Sequence, residues 1–233
     1  MLPEESLLDD EAKRRSQAIV GSILSQVTRY DISYAVNHLA RAMSKPPKVH
    51  MGADKHLLRY VAGMVDFRVT YKQGGLRLSV DSDADWGNNP DNGKSTSAYI
   101  MMVCNGPVSF KVGMQGLTAQ STIQAKLVAG ALTMMEAVFR KNMMTELDFK
   151  EDFKCVPLHI DNTSPLHVAG NQTYSSRAKH VALSYFYICE IIKEGHVSIH
   201  YVPTDKQLAD LGTKFLIKQR HRFLIELIKN FQM

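Results

Sequence analysis

The chain predicts an α/β fold: a mixed sheet covered by helices and preceded by a short helical segment. Three features of the sequence predict it. Apolar residues recur at helical spacing through the first 65 residues. From about residue 66, short β-type runs divided by Gly, Asn and Pro turns take over. After residue 120, helical and strand patterns alternate, as they do where helices cover a sheet. The 233 residues, 45% hydrophobic and 22% charged, suffice for one full core and a smaller unit. That apolar content is too high for a disordered chain.

Ile19, Val20, Ile23, Leu24 and Val27 mark one buried face of a first helix. Asp31 is placed to cap a second helix carrying Ala35, Val36, Leu39, Ala40 and Met43, which Pro46 and Pro47 stop. Leu57, Tyr60, Val61 and Met64 repeat the pattern and end near Gly63. Three short helices make a thin core, so 1–65 reads as an appended unit and 66–233 as the main domain. Strand-like runs follow at 67–71, 76–80, 97–103 and 108–112. A helix with Ile123, Leu127, Ala131, Met134 and Val138 on one face comes next, then a strand at 156–160. A helix at roughly 178–193 and a strand at 197–202 precede a closing basic helix bearing Phe223, Leu224, Leu227, Ile228 and Phe231.

Composition excludes several classes. The longest nearly uninterrupted apolar run, Ala98 to Cys104, falls far short of the ~20 residues of a membrane span, so no membrane is expected. The first eleven residues are acidic, without the basic and apolar regions of a signal peptide, which points to an intracellular location in cytoplasm or nucleus. Cys104, Cys155 and Cys189 stand 51 and 34 residues apart and suit a reducing compartment. Lys and Arg number 28 against 23 Asp and Glu, a formal charge of +5. The last 23 residues hold five cations (Lys214, Lys218, Arg220, Arg222, Lys229) against Glu226. Such a balance permits a polyanionic partner without demanding one.

Three acids stand where a sheet edge would gather them. Asp83 lies just past a strand, Asp161 ends one, and Asp210 sits at a helix start. Carboxylates at adjacent strand ends hold hard cations such as Mg²⁺. Two such ions about 3.5–4 Å apart activate water and steady the leaving oxygen in phosphodiester cleavage. Each Asp alone reads more readily as a turn or cap residue, and spacing does not bring the three together. Asp81 and Asp85 alternate with Asp83 and read as solvated turn residues. Trp86 reads as a core anchor. His196 and His200 share a strand face without an acid or Cys partner, which argues against zinc.

Several blocks occur in order: Ser82-Asp-Ala-Asp-Trp-Gly87, Lys94-Ser-Thr-Ser-Ala-Tyr99, Gly106-Pro-Val-Ser109, Ile160-Asp-Asn-Thr-Ser164, Arg177-Ala-Lys-His180, and Tyr201-Val-Pro-Thr-Asp-Lys-Gln-Leu-Ala-Asp210 followed by Thr213-Lys214. Together they closely resemble the ribonuclease H domain of copia-type LTR retrotransposon polyproteins. Upstream, Ile19-Val-Gly-Ser22, Thr28-Arg-Tyr-Asp-Ile32 and Ala35-Val-Asn-His-Leu-Ala-Arg41 resemble the end of the preceding reverse transcriptase. The polymerase Tyr-x-Asp-Asp motif is absent, so DNA synthesis is not expected. The resemblance implies a ribonuclease H-like mixed five-stranded sheet with helices on both faces. It also implies a four-carboxylate site for two Mg²⁺ or Mn²⁺ ions that cuts the RNA strand of an RNA–DNA hybrid.

Carried over by position, Asp83, Asp161 and Asp210 match three of the four catalytic, metal-binding carboxylates. Arg177, Lys179 and His180 match a block that approaches substrate phosphate. The fourth carboxylate belongs where the family reads Ser-Thr-x-Glu-Ala-Glu, but this chain reads Ser121-Thr-Ile-Gln-Ala-Lys126. Lys126 holds the catalytic Glu position and Gln124 that of its companion. At an effective dielectric of 20, two unit charges 4 Å apart interact by ~4 kcal/mol, so an ammonium facing Mg²⁺ costs roughly twice that. A protonated Lys has no lone pair to offer a metal. Gln124 has a local explanation in a Ser121-x-x-Gln124 capping box; Lys126 has none. The expectation is a crippled nuclease with little or no hybrid cleavage. Two other readings stand beside it. One is a non-enzymatic nucleic-acid-binding module. The other is a co-opted secreted effector of oomycete RxLR type acting on a host protein inside a plant cell. His56-Leu-Leu-Arg59 is a degenerate echo of its Arg-x-Leu-Arg delivery motif, lying within a helical pattern.

Overall fold

This computed structural model describes residues 7–24, 29–71, 76–149, 153–162 and 176–229. The chain divides into two compact units, Met1–Val69 and Thr70–Met233. In the first, helices α1 (Asp10–Leu24), α2 (Ser33–Arg41) and α3 (Lys48–Ala62) pack Val20, Ile23, Ile32, Val36, Leu39 and Leu57 together. The Asp9 carboxylate accepts the Ala12 N–H at 2.8 Å and so caps α1. Asp31 does not cap α2 as the sequence suggested. It lies in a 3-10 turn, Tyr30–Ile32, and its carboxylate accepts two bonds from Arg29 at 2.8 Å and one from the Tyr60 hydroxyl at 3.0 Å. A bidentate guanidinium is the stronger partner, so Arg29 outcompetes the helix N–H groups. Val27 lies outside the described residues. His56–Arg59 falls inside α3, with Leu57 buried in this core.

The second unit is built on five strands: β1 (Leu78–Asp85), β2 (Thr96–Val103), β3 (Gly106–Met114), β4 (Val156–Ile160) and β5 (Val197–Tyr201). Their order is β3-β2-β1-β4-β5. The first three are antiparallel, while β4 joins β1, and β5 joins β4, in parallel. The β2–β3 hairpin turns at Cys104 and Asn105, both with positive φ, as a two-residue turn that follows strand twist requires. The expected strand at 67–71 is absent. Tyr71 instead lays its ring against Gly106, where an added Cβ would meet it at 2.6 Å, and donates to the Pro107 carbonyl at 2.9 Å. Side-chain docking on the hairpin end thus replaces strand pairing.

Strand alternation sends Leu78, Val80 and Ser82 to one face and Ser79, Asp81, Asp83 and Asp85 to the other. Helices α4 (Thr122–Glu146) and α5 (Ser176–Lys193) cover the first face, packing Leu127, Met134 and Ile188 on Val80, Met101 and Leu158. By length and composition α4 matches a membrane span, but Leu127, Ala131, Met134 and Ala137 belong to this core. Helices α6 (Asp210–Thr213) and α7 (Lys218–Lys229) close the other face, against β1–β3 and β3 respectively. On α7, Leu224, Ile225 and Ile228 are buried while Phe223 turns outward, so the buried face is rotated from the expected one.

Candidate functional site

The carboxyl ends of β1 and β4 and the start of α6 bring the acids together. Strand β1 runs on through Asp85, so Asp83 lies within it and not beyond it. The parallel register pairs Val80 with Leu158 and Asp81 with His159; continued, it sets Asp83 beside Asp161. The Thr213 hydroxyl of α6 donates to Asp83 Oδ2 at 2.7 Å, tying Asp210's helix to β1. Gln207 is fully buried and spans the place where the ladder ends. Its Nε2 donates to the carbonyls of Ser82 and His159 at 3.2 and 3.4 Å, and its Oε1 accepts the Ala209 N–H at 3.2 Å.

Lys126 reaches the same corner from the second turn of α4. The start of that helix is fixed by Ser121, whose hydroxyl accepts the Gln124 N–H at 3.2 Å. The Gln124 side chain accepts from Gln120 N at 2.8 Å, one residue earlier than a standard capping box. Lys126 Nζ bonds Asp161 Oδ1 and stands 3.1 Å from Asp83 Oδ1. A second ammonium, Lys214 Nζ, lies 3.2 Å from Asp83 Oδ2 and 2.5 Å from Asp210 Oδ1. Arg220 of α7 approaches Asp210 Oδ2 at 3.4 Å and also donates to the Thr204 and Asp205 carbonyls. Three carboxylates therefore face three cations.

Electrostatics follow from this arrangement. Burial works to raise the Asp83 carboxyl, but Lys214, then Lys126, and the Thr213 hydroxyl overcome it and hold it at about 2. For Asp210 burial prevails over Lys214, with Asp83 adding repulsion, and the carboxyl is pushed up to about 6. Burial acts to lower the Lys214 ammonium, yet Asp83 and Asp210 together raise it.

The donor set does not fit a pair of divalent ions. The oxygens of Asp83 and Asp161 that would ligate one are shared by Lys126, which is itself no ligand. Lys126 also repels a dication by roughly 8 kcal/mol at 4 Å and an effective dielectric of 20. Among the described residues, no group of three or more His, Cys, Asp or Glu side chains is disposed to hold a metal.

Other candidates fall elsewhere. Asp81 is buried, not a solvated turn residue. Burial raises its carboxyl, opposed by His159, whose Nδ1 is 3.5 Å away. Asp85 is half-buried and raised chiefly by burial. Trp86 is not a core anchor: it is 50% exposed, with Nε1 donating to the Ala119 carbonyl at 2.9 Å. His196 and His200 do not act together. His196 precedes β5 and, against expectation, has an acid partner: its Nε2 lies 3.3 Å from Glu194 Oε2, while its Nδ1 meets Lys141 Nζ at 2.9 Å; His200 meets the Ser198 hydroxyl at 3.0 Å. Arg177, Lys179 and His180 lie at the start of α5, but their side chains are outside the described residues. Sequence reasoning missed Lys214, Arg220 and Gln207 as site residues. The Asp210–Lys214 spacing of four was a readable signal; Arg220, ten residues from Asp210, left none.

No protein-family profile matches the chain. It is 35% identical over 200 residues to the retrovirus-related Pol polyprotein from transposon RE2 of Arabidopsis thaliana, covering 85% of this chain and 14% of that protein. It is 32% identical over 123 residues to secreted RxLR effector protein 161 of Plasmopara viticola, covering 52% of this chain and 87% of the relative. Among solved structures, the N-terminal ribonuclease H domain of rv2228c from Mycobacterium tuberculosis aligns with 97% of its length and 65% of this chain, at TM-score 0.41 and 9% identity. The five-stranded mixed sheet with helices on both faces is the arrangement of strands and helices that the motifs implied. The chain spans about one seventh of the length of the polyproteins it matches, and over most of its own length its homologues, at 28–35% identity, are retrovirus-related Pol polyproteins of transposons.

Proposed function

We propose that this chain is a retroelement-derived ribonuclease H-like protein whose hydrolytic corner has become an internally neutralised ion-pair cluster, and which binds nucleic acid without cutting it. The observation that carries this reading is the Lys126 ammonium shared between Asp83 and Asp161. With Lys214 and Arg220 it balances all three aspartates, so the carboxylates have no charge left to attract a dication. Binding needs only positive charge and shape, because phosphate contacts supply most of the affinity. The basic α7 supplies charge beside the corner, and Arg177, Lys179 and His180 are the proposed phosphate contacts from α5. The proposed partner is an RNA–DNA hybrid or a related nucleic acid, met inside the cell.

A labelled hybrid incubated with Mg²⁺ or Mn²⁺ tests the reading. Wild-type protein should leave it intact, and Lys126→Glu should restore metal-dependent cutting that is lost again in Lys126→Glu/Asp161→Asn. Cutting by wild-type protein that Asp161→Asn abolishes would refute it. Binding measured by anisotropy should weaken steeply with salt, and the slope should shrink by about one for Lys179→Ala.

A second reading is favoured by the likeness to the Plasmopara effector over most of that protein's length: a role against a host protein after delivery into a plant cell. Transient expression in leaf cells decides it. A change in immune cell death beyond that of an empty vector supports it, and indistinguishable responses dismiss it.

A further inference from the structure

One pair of imidazoles on the sheet serves neither the core nor the ion-pair corner. The parallel register sets Asp81 beside His159, and His159 beside His200, on β1, β4 and β5. Residues directly opposed in a sheet point to the same face, so all three share the face that carries Asp83. Helices α6 and α7 pack on β1, β2 and β3 there, and among the described residues the β4–β5 end stays accessible. His200 is exposed and the His159 side chain is 25% exposed. Their ring centres lie 5.9 Å apart, with the planes inclined at 63°. The sequence offers His196 as the partner of His200; the fold supplies His159 instead.

A carboxylate backs this pair. The Asp81 side chain is only 3% exposed, and its Oδ2 lies 3.5 Å from His159 Nδ1 without receiving an aligned hydrogen bond. An orphaned buried acceptor is costly, and a stronger donor at that nitrogen would relieve it. A cation on the other nitrogen of the ring makes Nδ1–H such a donor, the same relation by which carboxylates orient metal-ligating histidines. On the far side, the Ser198 hydroxyl meets His200 Nε2 at 3.0 Å and steadies that ring. Zn–N bonds of about 2.0–2.1 Å place two imidazoles on one ion with ring centres roughly 5–6 Å apart, which is the spacing of this pair. Imidazole nitrogen favours Zn²⁺, Ni²⁺ and Cu²⁺, whereas Mg²⁺ takes oxygen. We infer that His159 and His200 form a surface site for a transition-metal dication such as Zn²⁺, with Asp81 as the positioning residue behind His159 and water completing the shell. Two strands locked in register hold both ligands, so little ordering is left for binding to impose. None of the three aspartates of the corner takes part.

Zn²⁺ alone is the probe, titrated calorimetrically at neutral pH into the full chain without an affinity tag. Cys155→Ser and Cys189→Ser form the background, so that the exposed thiols do not compete. Zn²⁺ should bind saturably, and the imidazole resonances that move should be those missing from the spectra of His159→Ala and His200→Ala. Each of these variants should lose the site, and Asp81→Asn should weaken it by about tenfold. His38→Ala breaks the other close pair of rings, His38 and His50 at 6.3 Å, and should leave these shifts unchanged. Zn²⁺ should also raise the melting temperature of the background protein but not that of His200→Ala, whose exposed ring is not needed for folding. Mg²⁺ should do neither. No saturable binding, the same affinity and shifts in His200→Ala, or Mg²⁺ displacing Zn²⁺ on equal terms overturns the site. Unchanged affinity in Asp81→Asn overturns the positioning role.

Discussion

Among the described residues, two clusters bury carboxylates against Lys and Arg, and they are built on different plans. In the helical unit, Asp31 takes its guanidinium from Arg29, two residues away, with the Tyr60 hydroxyl as a further donor. In the sheet unit, Asp161 takes its ammonium from Lys126, 35 residues away, and Asp83 draws its hydroxyl from Thr213, 130 residues away. The first cluster is written into a short stretch of chain. The second exists only once the sheet has formed. Asp83 Oδ1 lies within ion-pair distance of Lys126 yet receives no aligned hydrogen bond. Charge is balanced there, but the lone pairs are not fully used. The Asp31 cluster, by contrast, is matched donor to acceptor.

The largest stability effect that tests this contrast is Lys126→Ala. Removing one partner of a buried pair strands the other, and a loss of about 3–5 kcal/mol in denaturant unfolding is expected. In Lys126→Glu, Mg²⁺ should raise the melting temperature, while in wild-type protein it should not. If Mg²⁺ stabilises both equally, the cluster is not quenched.

A pH series comes next. The Asp83 carboxyl is depressed to about 2 from its ordinary value, so the folded state binds fewer protons than the unfolded one. Stability from this group is complete above pH ~4 and drains away toward pH 2, by on the order of 2 kcal/mol. Asp210, raised to about 6, works the other way, since stability falls as pH rises from ~4 through 6. Asp210→Asn should flatten that fall, and Asp83→Asn should flatten the acid limb. A variant that leaves its own limb unchanged contradicts the assignment.

Smaller effects complete the comparison. Arg29→Ala should cost about 2 kcal/mol, because Asp31 keeps the Tyr60 hydroxyl. A loss as large as that of Lys126→Ala would erase the distinction between the two clusters. Ser121→Ala, which removes the cap that starts α4, should cost about 1 kcal/mol by the same unfolding measurement.

Most of the sheet was legible because its strands are rich in β-branched and apolar residues and are bounded by turn residues. The exception is instructive. Asp-Ser-Asp-Ala-Asp from 81 to 85 has low strand propensity and reads as a turn, yet β1 continues through it because β2 pairs with it as far as Asp85. Tertiary pairing decided what local preference could not. The same misreading hid the burial of Asp81 and placed Trp86 in the core. Lys126 stood out only against the family pattern. Arg220 was invisible, since a contact between the start of one helix and another helix has no periodic trace in the sequence.

Gln207 has a consequence for how such a protein changes over time. Its amide adds a rung between β1 and β4 just where their own ladder stops, and an uncharged rung is indifferent to acidity and to ions. The walls of the cleft are thus held by one kind of bond and its contents by another. A lineage can trade the contents for something new while the walls stay as they were.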